Sequence, residues 1–169
     1  TVMDFNYDPP VLRTSLYLLP RLSGCKASVC NSDGQVLCYT NGMQIYSGRA
    51  GYIIEDTIAY GQYWEDSKGK DNDGNMISYG SVFVDASLIL PAPERENIYY
   101  VFYTLWDNTP LSIYDIHTRY LYCAEVDMDP AFGPGRLIYK DRVLVSDSLF
   151  IQDSLAISGL AACRHANGR

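Results

Sequence analysis

The chain has 169 residues, 47% of them hydrophobic and 20% charged, and a net charge of −7. That length holds one domain with a sizeable core. The acidic balance, with no cluster of Lys and Arg, argues against nucleic acid, which needs a basic stripe, and no apolar run approaches the roughly 18 residues of a membrane helix.

The 15 tyrosines favour strands and half-buried surfaces, so the composition predicts an all-β fold. No basic-then-apolar start is present, which places any signal peptide outside this segment. One arrangement recurs three times: small and apolar residues leading into a tight polar turn. The copies turn at Asp33-Gly34, around Glu94 to Asn97, and at Asn167-Gly168. Such recurrence marks a repeat architecture whose units cannot bury their faces alone.

In chain order, residues 1–22 are irregular, broken by Pro9, Pro10 and Pro20. Residues 26–30 and 35–40 predict a hairpin through the Asp-Gly turn. Asn41-Gly42 is a second turn, and 43–47 a third strand, which completes a meander. Residues 48–80 are long, polar and glycine-dotted without a clean period, and predict a surface excursion. Strands follow at 81–90, 98–105, 120–126 and 136–145, with a turn over 127–135. Pro91 and Pro93 end the first of these, because proline cannot donate to a ladder. Residues 155–164 begin the third copy, and no helix is predicted.

The expected architecture is therefore antiparallel meander blades of a β-propeller, incomplete in this chain. Blade one covers about 24–47 and blade two about 81–145, and blade three opens at Leu155. A third blade cut at the Asn167-Gly168 turn leaves a strand edge open, so the segment alone is expected to self-associate.

Five cysteines, Cys25, Cys30, Cys38, Cys123 and Cys163, leave at least one unpaired, and without a C-x-x-C pair a structural zinc site is disfavoured. If Cys30 faces Val36 across the first hairpin, Cys38 faces Ser28, which is poor geometry for a disulfide between the two cysteines.

Asp71, Asp73 and Asn75 alternate oxygen ligands around Gly74, as a calcium loop does. The EF-hand register fails, because Gly69 and Gly80 stand at its first and last positions, so a solvated turn competes with a calcium site. Asn31-Ser32-Asp33-Gly34 lacks the glycine spacing of a sialidase aspartate box and is a hairpin turn. His117 falls in a polar loop, and no G-x-S-x-G elbow accompanies either histidine. Arg164, His165 and Asn167 gather at the last turn, where a propeller rim or channel would bind a ligand; a structural role for His165 competes. Trp64 and Trp106 sit in or beside loops, either stacking on a sugar or protein partner or buried under a loop.

Taken together, Phe5-Asn6, residues 27–46 (ASVCNSDGQVLCYTNGMQIY), 88–104 (LILPAPERENIYYVFYT), 120–128 (YLYCAEVDM) and 164–169 (RHANGR) form an ordered series. In order and spacing this series resembles the amino-terminal β-propeller region of large secreted Bacteroidetes proteins, the gliding-motility-associated and type IX secretion cargo class. The resemblance covers nearly the whole chain. It departs at Cys38, where the family usually has an aromatic residue, and in lacking an aromatic strand after RHANGR. It implies a non-catalytic interaction or scaffold module at the outer cell surface or outside the cell. It also implies a protein or glycan partner and further blades from the same or an associated chain. A propeller-type glycan-acting enzyme such as a glycosidase is the alternative, although no carboxylate pair can be assigned as acid and base.

Overall fold

The computed structural model describes residues 2–4, 9, 11–13, 26–48, 53–55, 58, 68–70, 76–78, 86–106, 117–146, 155–156 and 159–163. Its strands in chain order are β1 (Val2–Asp4), β2 (Val11–Arg13), β3 (Ala27–Cys30), β4 (Val36–Thr40), β5 (Ile45–Ser47) and β6 (Ile53–Glu55). They continue with β7 (Lys68–Lys70), β8 (Met76–Ser78), β9 (Ser87–Pro91), β10 (Ile98–Trp106), β11 (His117–Asp127), β12 (Arg136–Ser146) and β13 (Leu155–Ala156). A single 3-10 turn, Pro130–Phe132, is the only helical element among the described residues. The fold class is all-β.

Two antiparallel sheets carry the structure. The first has the order β3-β4-β5-β6, and the second β9-β10-β11-β12. Two small hairpins, β1–β2 and β7–β8, stand apart from them. Among the described residues, neither large sheet closes on itself. The first hairpin forms where the Asp-Gly turn places it. Asn31 Oδ1 accepts from the backbone N–H of Asp33 at 3.0 Å and Gln35 at 2.8 Å, while Gly34 takes φ +75°, a region glycine enters without steric cost. The second turn is buried. Asn41 Oδ1 accepts from Met43 N and Gln44 N, and the Thr40 hydroxyl donates to Gln44 O at 2.6 Å.

The sequence reading of residues 48–80 as a loop is corrected in part. Ile53–Glu55 is the fourth strand of the first sheet, paired with β5, and β7 and β8 form a hairpin within the same stretch. Three-residue strands are too short to show a period of two, so only pairing reveals them. His117, expected in a loop, starts β11 and pairs with Ala156. Leu155–Ala156, expected to open a third blade, instead pairs with His117 and Thr118 of β11. Because Ser146 pairs with Tyr120, β13 resumes the ladder that β12 leaves. Cys38 faces Val29 and not Ser28, because Leu37 is the extra residue of a bulge between the pairs Val29–Cys38 and Cys30–Val36.

The central pairs of the two sheets match in register. In the first, Cys38, Tyr39 and Thr40 pair with Ser47, Tyr46 and Ile45. In the second, Phe102, Tyr103 and Thr104 pair with Cys123, Tyr122 and Leu121. On the other side, Ser28 and Val29 oppose Tyr39 and Cys38 as Ser87 and Leu88 oppose Tyr103 and Phe102. Both central tyrosine pairs stack, with ring centroids 5.0 Å apart for Tyr39–Tyr46 and 5.6 Å for Tyr103–Tyr122.

Strand alternation gives each copy two faces. One, the tyrosine face, carries the stacked pair and the serine; the other carries the residues between them. The core joins unlike faces. Cys38 and Ile45, from the non-tyrosine face of the first sheet, pack with Val101, Tyr103, Ala124 and Val126 on the tyrosine face of the second. The sheets lie in parallel order, β3 beside β9 and β6 beside β12, and Lys140 Nζ on β12 reaches Glu55 Oε1 on β6 at 2.9 Å.

Candidate interaction surface

A set of polar and aromatic side chains lies on the non-tyrosine face of the second sheet. Two cross-strand rows build it. Leu90, Tyr100, Glu125 and Tyr139 form one, and Leu88, Phe102, Cys123 and Arg142 the other. Leu88, Leu90, Tyr100, Phe102, Leu121 and Tyr139 are half-buried. Arg95, held in the β9–β10 turn, reaches over the sheet to place Nη2 2.8 Å from Oε1 of the buried Glu125. The turn is fixed by Glu94 and Asn97 at φ 59° and 61° and by Ala92 N donating to Ile98 O at 2.9 Å.

The charge states follow from this packing. Glu125 hydrogen-bonds the Arg95 guanidinium and raises its already high pKa. Burial raises the Cys123 thiol, against the opposing hydrogen bond from Tyr139, so it stays protonated near neutrality. Desolvation and then Cys123 push the Tyr139 phenol up to about 12. The Cys123 sulfur lies 3.9 Å from the Tyr139 hydroxyl, and the Arg142 guanidinium lies 6.0 Å from the centre of the Tyr139 ring. At neutral pH the thiol and the phenol on this face are therefore protonated, and the carboxylate is paired with Arg95.

The edge of this surface is shaped by a second device. Between the pairs Glu125–Tyr139 and Cys123–Arg142, Lys140 and Asp141 oppose the single residue Ala124. Asp141 takes φ 59° in this bulge. The fully buried Tyr103 holds it, donating from its hydroxyl to Asp141 Oδ1 at 2.8 Å and accepting from Asp141 N at 2.9 Å. A bulge bends an edge strand away from pairing with another chain. At the far end, Arg136 binds Asp127 Oδ2 through Nε and Nη2 and lies 3.6 Å over the Phe132 ring.

Arg164, His165, Asn167 and Trp64, expected to bind a ligand, lie outside the described residues, as do Asp71, Asp73 and Asn75. Trp106 ends β10, its backbone paired with Thr118. Among the described residues no group of three His, Cys, Asp or Glu side chains is placed to hold a metal, and no helix is long and apolar enough to cross a membrane. The residues of the present surface went unnoticed in the sequence, although one signal was there: positions 100 and 102, and 123 and 125, alternate along the two strongest strands.

No family model matches the chain, and no curated protein or solved structure matches it.

The cysteines give a direct check on burial. Cys38 is fully buried and its thiol is pushed from 9.0 up to about 12 by desolvation. Cys30 and Cys163 are exposed and free. Iodoacetamide at pH 8 is expected to modify Cys30 and Cys163 in the native protein and to spare Cys38 and Cys123 until it unfolds. Early modification of Cys38, read by peptide mass, contradicts the core. The same group makes stability depend on alkaline pH. Its folded pKa lies above the unfolded value, so the stabilisation is complete below about pH 9 and is lost as pH rises toward 12. The phenols of Tyr39 and Tyr99, raised above 10.0 by burial, act in the same direction.

Proposed function

We propose that the chain is a non-catalytic interaction or scaffold module of a large secreted or cell-surface protein, and that its two large sheets are successive blades of a β-propeller. The observation that carries this reading is the duplication: two four-stranded meanders share one register and pack unlike face to unlike face. Head-to-tail packing generates a ring when its rotation closes. The resemblance of residues 27–46, 88–104 and 120–128 to secreted propeller regions supports the outer-surface placement. The protonated Cys123 and Tyr139 and the paired Glu125 favour binding over turnover.

The test is a paired assay on the full chain. Immobilised protein is screened against a glycan array and a panel of purified bacterial surface proteins, and the same sample is incubated with aryl glycosides. Saturable binding without release of the aryl group is expected. Release of the aryl group above the buffer rate sinks the non-catalytic reading.

A further inference from the structure

The sequence holds two Asn-Gly pairs, Asn41-Gly42 and Asn167-Gly168, and the second lies outside the described residues. Such a pair carries its own chemistry. Glycine leaves its backbone nitrogen unshielded by a Cβ, so that nitrogen can attack the amide carbon of the asparagine before it. The nitrogen gives up its proton to water or hydroxide, a bond forms to Cγ, and Nδ2 leaves as ammonia. Water then opens the cyclic imide at either carbonyl, giving aspartate or isoaspartate.

The β4–β5 turn holds the two reactants of that step apart. Gly42 N donates to Thr40 Oγ1 at 3.0 Å, so loss of its proton leaves a lone pair aimed at the threonine and not at Asn41 Cγ. The Thr40 hydroxyl is itself fixed, donating to Gln44 O at 2.6 Å. The Asn41 amide is turned forward, with Oδ1 accepting from Met43 N at 3.0 Å and Gln44 N at 2.9 Å. Those two N–H groups polarise the amide, but ring closure also needs the nitrogen, and the nitrogen is engaged. Met43 O accepts from Ile58 N at 2.9 Å, which ties the turn to a later segment. Thr40, Asn41 and Met43 are fully buried, so water is kept from the amide.

The products do not fit where the asparagine sits. Asn41 Nδ2 has no hydrogen-bond partner among the described residues. In aspartate a carboxylate oxygen takes its place and brings a charge into a fully buried turn, which is costly. In isoaspartate the main chain runs through the former side chain and is one methylene longer. The Thr40–Gln44 and Gly42–Thr40 bonds then no longer close the turn together.

We propose that Asn41 is a deamidation site gated by the β4–β5 turn. The closed turn protects it, local opening releases the reaction, and the product keeps the turn from closing again. The first sheet therefore carries an irreversible mark of its own opening. The inference stands on this turn and is independent of the interaction reading above.

The test incubates the full chain in mildly alkaline buffer, native and in urea above its unfolding midpoint. The peptides holding residues 41–42 and 167–168 are resolved by mass, and isoaspartate is separated from aspartate by chromatography. Modification at Asn41 is expected to be slower in the native chain by roughly tenfold or more, because it must wait for the turn to open. Thr40→Val frees Gly42 N–H and should remove most of that protection, while Thr40→Ser, which keeps the hydroxyl, should retain it. Hydrogen exchange of the β9–β12 amides shows that the rest of the fold is intact in each variant. If Thr40→Val opens the second sheet as well, the comparison of wild type with Thr40→Ser and with the urea sample decides alone. Chains aged in urea and returned to buffer should lack exchange protection along β4 and β5 wherever residue 41 is modified. Equal native and urea rates at Asn41 overturn the proposal. So do a Thr40→Ser chain that loses the protection and an aged, modified chain that regains protected β4 and β5 amides.

Discussion

Replacing Tyr103 by Ala is expected to cost about 3–5 kcal/mol, and replacing it by Phe about 1–3 kcal/mol. The side chain is fully buried at the centre of the shared core and stacks on Tyr122. Removing the ring leaves a cavity that neighbouring strands cannot refill. Removing only the hydroxyl keeps the packing and deprives Asp141 of its partner at both Oδ1 and N. The phenylalanine variant therefore separates two contributions that the alanine variant merges. Asp141→Asn keeps a residue that tolerates positive φ, and its side-chain oxygen still accepts from the Tyr103 hydroxyl while its N–H still donates, so only the charge is lost and it should fall between wild type and Tyr103→Phe. Urea denaturation curves with a shared slope measure all three. A Tyr103→Phe midpoint equal to wild type shows that the hydroxyl bonds do not hold the bulge.

Gly48→Ala is the second substitution with a large expected effect, about 1–3 kcal/mol or more. A Cβ at this position falls 1.8 Å from Val36 O and 2.4 Å from Val36 C. Both are backbone atoms at the start of β4, so neither can rotate away. The same approach brings Gly48 N within 2.7 Å of Leu37 O, the extra residue of the bulge. Two other glycines calibrate the effect. Gly34 stands in open space but at φ +75°, so Gly34→Ala should cost roughly 1–2 kcal/mol for the left-handed conformation alone. Gly159 has neither constraint, and Gly159→Ala should stay within about 0.5 kcal/mol of wild type. Thermal melts should rank the three in that order. A Gly48→Ala protein that melts with the wild type refutes the close contact between the end of β5 and the start of β4.

Three strands of the second sheet were legible in the sequence because each is long and rich in β-branched or aromatic residues. The expected 98–105, 120–126 and 136–145 became Ile98–Trp106, His117–Asp127 and Arg136–Ser146. The Asp33-Gly34 and Asn41-Gly42 turns were legible for a local reason: short polar side chains bond their own backbone there and glycine accepts positive φ. Of the three expected copies of a hairpin-sized unit, the first two fall on β3–β4 and β9–β10, whereas the residues expected to open the third pair with β11. The register match between the two sheets was not legible, because Cys38 and Phe102, or Ile45 and Leu121, share no chemistry that identifies them as equivalents until pairing aligns them.

What the sequence determined by itself was the local layer: an all-β chain, its longer strands and its turns. These depend on side chains within a few residues of one another. The tertiary structure alone decided the rest. It made Ile53–Glu55 a strand, because the open edge of β5 supplies the hydrogen bonds that three residues cannot specify. It returned Leu155–Ala156 to β11. It shifted Cys38 from Ser28 to Val29 by inserting Leu37. And it brought Arg95 to Glu125 and Tyr103 to Asp141, pairs separated by one or more strands, whose meeting depends on register and bulges that no local pattern encodes.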